Sequence, residues 1–371
     1  MRIRVREALA IALLAPLSGC FMWPSTNAPP PPGWSEPAPF QGETYTPGQV
    51  SQNPEIEMAN PGLNGSTFAG NGTSGAADGN AGVAQFMQPE GLAIGSDGTI
   101  YLAEPYAYRI RKIAPDGRVS LLAGGTLGRA DGSGSGAQFF GPKDLVVGDG
   151  GTLYVVDFDK IRQVTPDGRV TTLAFQTSEG SWDPVELLGI ARSDDGTLYV
   201  STTTGIDRIQ GGVATRWVGA DAKGFRDGSA TAAYFNLPRK LALDSQNNLY
   251  VADFGNLRIR KVSPTRQVTT IAGNGILGFT DGASTKSRLN FPTGISVDRQ
   301  GNVIVADTYN HAVRMVSPAG HVTTLAGNNT AGFQDGPAAS VTFNHPTDVA
   351  VGSDGRIYVA DQQNHRIRVL R

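Results

Sequence analysis

The 371-residue chain is short of the residues that most often carry chemistry, with one cysteine, four histidines, five methionines and four tryptophans. A lone cysteine, Cys20, excludes an intrachain disulfide and a cysteine-paired zinc site. The histidines form no ligand set either: His311 and His365 fall at matching places in a repeat, His321 sits in a turn between strands, and His345 precedes Pro346. An excess of positive charge is also missing, since 31 Lys and Arg face 33 Asp and Glu for a net charge of −2. Such a balance supplies no field for capturing nucleic acid, and no run of aromatic stacking platforms accompanies it. Glycine is what the chain has in quantity, 48 residues, and it punctuates short apolar runs of strand length.

Residues 238–282 show the pattern in full. Apolar runs at 241–243, 249–252, 257–262 and 268–272 are separated by turn residues and predict a four-stranded antiparallel meander. Its opening proline recurs as Pro89, Pro142, Pro238, Pro292 and Pro346, the last three 54 residues apart. The second run recurs six times, at 101–103, 154–156, 199–200, 250–252, 304–306 and 358–360. A period near that of propeller blades, with longer loops, favours a propeller over a solenoid. The ends of the chain agree. The sixth copy stops at Arg371 after its third strand, while residues 66–72, STFAGNG, duplicate the fourth-strand segment TTIAGNG at 269–275. A ring can hydrogen-bond that N-terminal strand into its last blade and leave few open edges. The expected fold is all-β, a closed six-bladed β-propeller over residues 65–371.

Ahead of it lie two segments of different character. Arg2, Arg4 and Arg6 precede an apolar stretch at 8–17, too short to span a bilayer, and then Leu17-Ser18-Gly19-Cys20. This resembles a bacterial lipoprotein signal ending in a lipobox. The resemblance implies removal of residues 1–19 and lipidation of Cys20. Phe21, where lipoproteins of the inner membrane often carry Asp, favours the outer membrane, facing the periplasm or the cell surface. Residues 20–64 hold ten of the 23 prolines without apolar periodicity, and read as a flexible tether.

Within the repeat, Asp253, Asn256 and the Arg258-Ile259-Arg260-Lys261 run, with Asp307, Asn310 and His311 and then Asp361, Asn364, His365, Arg366, Ile367 and Arg368, resemble NHL-repeat propellers. The resemblance covers about residues 66–371 and implies blades around an axial channel. Each recurring Asp is expected to bond turn amides, and the period-2 spacing of Arg258 and Arg260 predicts that they face a blade edge or solvent. The Gly-x-Gly-x-x-Gly spacings beginning at Gly70 and Gly273 imitate a dinucleotide loop, but no helix follows to meet a pyrophosphate.

Specificity is therefore expected where the symmetry breaks. The second-to-third-strand loops and the long fourth-to-first connections should share the face where the first strand begins. Near its channel mouth the residues after each opening proline differ in sign: Glu90, Lys143, Asp144, Arg239, Lys240 and Asp348. With Glu186 they suit a polar ligand, an internal ring of ion pairs or a solvated rim. The 174–189 connection before the third blade lacks the Gly-rich loop, and Thr202-Thr203-Thr204-Gly205 replaces the Asp-x-x-Asn turn. A notch lined by Trp182, Asp183 and Glu186 is expected there.

Two functions compete. One is a monomeric, lipid-anchored scaffold that binds an envelope protein, peptide or glycan without a cofactor. The other follows from a resemblance to gluconolactonase-type propellers, which implies a calcium-dependent hydrolase or lyase with Glu90, Asp144 and Asp348 as ligands. The neighbouring cations Lys143, Arg239 and Lys240 argue against a dication site.

Overall fold

The computed structural model describes residues 62–177, 180–181 and 184–371. The signal, the tether up to residue 61, Cys20, Trp182 and Asp183 lie outside these described residues.

The described residues form six sheets, antiparallel but for a single parallel bridge between Gln176 and Val213. Counted along the chain and from the axis outward, blade 1 consists of Leu92–Ile94, Ile100–Glu104, Arg109–Ile113 and Val119–Gly124, and blade 2 of Pro142–Val147, Leu153–Asp157, Lys160–Val164 and Arg169–Leu173. Blade 3 consists of Gly189–Arg192, Leu198–Ser201, Ile206–Gln210 and Val213–Val218, and blade 4 of Pro238–Leu243, Leu249–Asp253, Arg258–Val262 and Gln267–Ala272. Blade 5 is Pro292–Val297, Val303–Asp307, Ala312–Val316 and His321–Ala326. Blade 6 takes Pro346–Val351, Ile357–Asp361 and Arg366–Leu370 from the end of the chain and Asn64–Ala69 from its beginning. Ser66 pairs with Val369 and Thr67 with Arg368, so the expected closure is present. The six innermost strands also touch in sequence, and Leu92–Ile94 contacts both Pro142–Val147 and Pro346–Val351.

The alternation of side chains explains how flat blades make a disc. In Leu249–Asp253 every residue is buried. Leu249 and Val251 pack with Ile206 and Trp217 of blade 3, whereas Tyr250 and Ala252 pack with Ile295 and Val305 of blade 5. Both faces of a blade are thus interior, and each interface is a small apolar core of its own. Outer edges are partly covered as well: Gly132–Ser133, Gly228–Ser229, Gly282–Ala283 and Gly336–Pro337, drawn from the long connections, each pair with an outermost strand. That short extra strand shields an edge that would otherwise recruit another chain.

The repeat arginines overturn one sequence expectation. Arg260 does not face solvent; it is fully buried, as are Arg111, Arg162, Arg314 and Arg368. Its guanidinium donates to Asp253 at 2.6 Å and to Asp227, from the Asp-Gly turn of the preceding connection, at 2.6 Å. The rings of Phe225 and Phe235 lie 5.0 Å from it. Arg258 is half-buried, donating to the carbonyls of Asn256 and Asn274, and stacks 3.6 Å over Phe225. Period-2 spacing assigns side chains to faces of a sheet, but here neighbouring blades and loops cover both faces.

The recurring Asp has a structural role, as expected, although the amide it holds belongs to the incoming connection. Asp253 accepts from Asn236 N–H at 2.9 Å, from Asn256 Nδ2 at 2.8 Å and from Arg260; Asn256 Nδ2 also donates to Gly224 O at 2.7 Å. Asp307 with Asn310 and Arg314, and Asp361 with Asn364 and Arg368, repeat the arrangement. Burial pushes the carboxyls of Asp253, Asp307 and Asp361 up against the pull of their arginines, Asp361 to about 6. These clamps fasten the long connections to the blades. Gly273 and Gly275, at φ of +85° and +83°, turn the chain out of the last strand, and a Cβ on Gly273 would stand 2.3 Å from Leu257 O.

Candidate functional site at the channel mouth

The second-to-third-strand loops and the long connections do share one face, since each clamp ties the two together. The channel opens at its centre. Two residues after each opening proline, and at the start of the innermost strand of blade 3, stand, in blade order, Gly91, Asp144, Gly189, Lys240, Gly294 and Asp348. The glycines are required by crowding. A Cβ on Gly91 would lie 2.4 Å from Lys143 O, one on Gly189 2.3 Å from Arg239 O, and one on Gly294 2.4 Å from Asp348 Cα. Alternate blades thus yield space, and the three side chains between them meet on the axis.

There two carboxylates share one ammonium. Lys240 Nζ donates to Asp144 Oδ1, to Asp348 Oδ2 at 2.8 Å and to Leu92 O at 3.1 Å, which uses all three of its hydrogens. Asp144 also accepts from Leu145 and Ile190 N–H, and Asp348 from Leu92 and Val349 N–H, at 2.7–2.8 Å. Burial by itself would lower the Lys240 ammonium, but the two carboxylates prevail and hold it above the usual lysine range. Burial raises Asp348 in turn, its ionised form being favoured by Lys240. Beyond this cluster, away from the mouth, the channel widens into a cavity of about 270 Å³ lined by the innermost strands, including Ile94, Val147, Leu243, Val351 and Arg192.

On the near side the pairs are more exposed. Lys143 Nζ meets Glu186 Oε1 at 2.5 Å, whereas Arg239 Nη1 is 3.9 Å from Glu90 Oε1. Burial raises the Glu90 carboxyl, opposed first by Arg239 and then by Lys143. The candidates therefore divide in two: Asp144, Lys240 and Asp348 form a closed plug on the axis, and Glu90, Lys143, Glu186 and Arg239 form an open, mixed-sign rim. Thr293 and Thr347 contribute ties between blades, their hydroxyls donating to Thr347 O at 2.6 Å and Pro89 O at 3.1 Å.

The sequence reading missed the aromatic part of the rim. Phe254 and Phe291 have centroids 4.8 Å apart, Phe291 and Tyr309 5.4 Å, Tyr309 and His345 5.0 Å, and His345 and His311 4.6 Å. This arc runs from blade 4 to blade 6. The Arg239 guanidinium lies 4.4 Å over Phe254, and Lys143 Nζ 5.8 Å from the Phe158 ring. Tyr106 stands within electrostatic reach of Glu90, Arg239 and Tyr309. A signal was available: Phe254 and Tyr309 are in the turns after the recurring Asp, and Phe291 and His345 directly precede opening prolines.

Blade 3 departs from the common plan as expected. Thr202 takes the clamp's Asp position, its hydroxyl donating to Gly205 O at 3.2 Å, while Ser201 before it donates to Arg239 O at 2.7 Å. Asp207, opposite Val200, stands where the other blades carry arginine, and pairs at 3.0 Å with Arg216 of the outermost strand. The connection before it makes a small hairpin, Gln176–Thr177 with Gly180–Ser181, and Gln176 pairs with Val213. Of the expected notch residues, Glu186 reaches the mouth, while Trp182 and Asp183 are outside the described residues.

The residues do not suit a calcium ion. Each oxygen of Asp144 and Asp348 is already engaged by a backbone amide or by Lys240, whose ammonium holds the place a dication would take, and Glu90 turns to Arg239. Among the described residues no group of three or more His, Cys, Asp or Glu is placed to hold a metal.

Comparison with known proteins places the repeat. The NHL repeat matches residues 235–262, 289–314 and 343–370, in blades 4, 5 and 6, and the teneurin NHL domain matches 126–211. NHL repeat-containing protein 2 of Bos taurus is 29% identical over 308 residues, 77% of this chain, which spans 39% of the bovine protein's length. Among solved structures, an auxiliary nutrient binding protein from Bacteroides ovatus superposes with a TM-score of 0.66 at 19% identity, covering 84% of this chain and 77% of that one. A gluconolactonase from Xanthomonas campestris gives 0.57 at 14%, covering 85% and 93%. At such identities the two structures speak for the fold. The chain carries NHL repeats, assembled as a six-bladed propeller.

Proposed function

We propose that this protein is a non-catalytic binding scaffold of the bacterial cell envelope, anchored through lipid on Cys20 to the outer membrane and holding out the loop-rich face of its propeller. In this reading residues 20–64 are the tether, the protein is a monomer, and the ligand is an envelope protein, peptide or glycan taken at the channel mouth without metal or nucleic acid. One observation carries it. Residues common to the blades are occupied by the clamps and those on the axis are engaged with one another, whereas Glu90, Lys143, Glu186, Arg239 and the aromatic arc break the symmetry together on one face. Loops on a rigid frame are where binding usually resides. The Bacteroides ovatus propeller of the same fold, described as nutrient binding, gives the reading a precedent.

The test has two parts. Metabolic labelling with an alkyne fatty acid should mark the wild-type protein and not Cys20→Ala, and the label should follow the outer-membrane fraction. A soluble form beginning after Cys20, offered envelope proteins, peptides and glycans, should capture a ligand that Lys143→Ala with Arg239→Ala releases. Capture that survives this double substitution would place the ligand elsewhere.

A further inference from the structure

The charges at the mouth set a chemical preference for its ligand, a step that rests on the scaffold reading. Of the three cations near the axis, Lys240 is held by two carboxylates and a carbonyl, and Lys143 by Glu186 at 2.5 Å. Arg239 is different. Among the described residues its carboxylate partner is Glu90, at 3.9 Å, outside hydrogen-bonding distance. The guanidinium is nonetheless fixed in place, lying over Phe254 at 4.4 Å with Tyr106 and Tyr309 in electrostatic reach. A planar cation so oriented matches a carboxylate in two parallel hydrogen bonds. A single negative charge fits better than a phosphate, because Glu90 stands 3.9 Å from the guanidinium and would repel a second.

The surroundings of that cation define the rest of the ligand. The plug of Lys240, Asp144 and Asp348 makes the mouth shallow, so no side chain can be swallowed into the axis. Beside it runs the arc of Phe254, Phe291, Tyr309 and His345, half-buried rings in contact one after another along a curve. Rings of this kind take the apolar face of a flat, hydroxylated unit at low entropic cost, while the phenol and imidazole edges meet its hydroxyls. An extended peptide would instead seek a free sheet edge. The short strands from the connections cover part of the outer edges, and the mouth offers loops.

We infer that the mouth binds an acidic carbohydrate, a uronic-acid-bearing glycan whose carboxylate sits on Arg239 while adjoining sugar rings lie along the Phe254–Phe291–Tyr309–His345 arc.

Titration calorimetry on the full-length protein in detergent micelles tests this, with trigalacturonate and its carboxyl-reduced, neutral counterpart as probes. The acidic trimer should bind at least tenfold more tightly than the neutral one, and the preference should fade with added salt. Arg239→Gln should abolish the preference and leave the melting temperature unchanged, while Tyr309→Ala should weaken both sugars. Equal affinity for the two trimers, or a preference that survives Arg239→Gln, overturns the inference, as does failure of both to bind. If neither sugar binds but mouth substitutions release an envelope protein or peptide, the scaffold reading stands without the glycan. Should mouth substitutions change no binding of any kind, both fall.

Discussion

Blades 3 and 5 are built to one plan and held by different means. In blade 5 Arg314 is fully buried between Asp307 and Asp281, with Asp281 also accepting Thr324 N–H at 3.0 Å, so that the incoming connection is fastened by ion pairs with no access to water. Blade 3 reverses the charge at the same register position: Asp207 replaces the arginine and pairs with Arg216, whose side chain is 28% exposed, on its own outermost strand. A hydroxyl, Thr202, takes the place of the other carboxylate and turns back to Gly205 O of its own turn. The sheet does not need the clamp. What the clamp fastens is the loop over the blade, and where it is missing the chain before the blade is free to depart from the repeat.

Substitutions that break this contrast should show a graded series. Arg314→Leu leaves Asp307 and Asp281 buried without a cation and should cost about 3–5 kcal/mol in chemical denaturation, the usual penalty for removing one partner of a buried pair. An unchanged midpoint would show that the clamp is ornamental. Removing the loop carboxylate should cost less and track its burial. Asp281→Asn, with a side chain 1% exposed, should lose about 1–3 kcal/mol, whereas Asp335→Asn, 41% exposed, should lose about 1 kcal/mol or less. Equal losses would refute the link to burial. Imposing the common pattern on blade 3 with Thr202→Asp and Asp207→Arg should destabilise by about 1–2 kcal/mol, because the Asp207–Arg216 pair is lost and the 174–189 connection has no Asp-Gly turn to complete the clamp. A gain in melting temperature would mean that the clamp needs no loop.

A smaller effect concerns blades 5 and 6. His311 Nδ1 accepts His345 N–H at 3.1 Å, so it works as a neutral ring, and burial, reinforced by His345, holds it down at about 4. A histidine whose folded value lies below its ordinary 6.5 contributes fully above that pH and loses its contribution as pH falls toward about 4. Asp361, pushed up to about 6, acts with the opposite sign over much of the same window. The informative measurement is therefore the difference between wild type and His311→Gln, which should shrink as pH drops from 6.5 to 4. A constant difference across that range would rule out the titration. Smallest of all, Arg239→Gln should leave stability within about 0.5 kcal/mol, since its side chain faces the mouth and ties no blade to its neighbour.

The sequence made much of this legible for a local reason. A meander is a run of neighbouring strands joined by short turns, so each blade is written within about one repeat, and Tyr250, Asp253 and Asn256 announce theirs from a few adjacent positions. The circle itself could be read because residues 66–72 carry the pattern of a fourth strand with no first three before it. The candidate site was legible only as a set of positions. Nothing local distinguishes Lys240, sealed by two carboxylates, from Arg239 beside it, which keeps an exposed edge.

What the chain settled by itself, then, was the number of blades, the closing strand and the face that gathers the loops. The interior fate of Arg260, the meeting of Asp144, Lys240 and Asp348 through gaps left by Gly91, Gly189 and Gly294, and the aromatic arc were decided by tertiary structure. The reason is geometric. Alternation along a strand says which side of a sheet a residue occupies, but in a ring of blades both sides are interior, and the partners met there come from blades one, two, three or five repeats away in the chain.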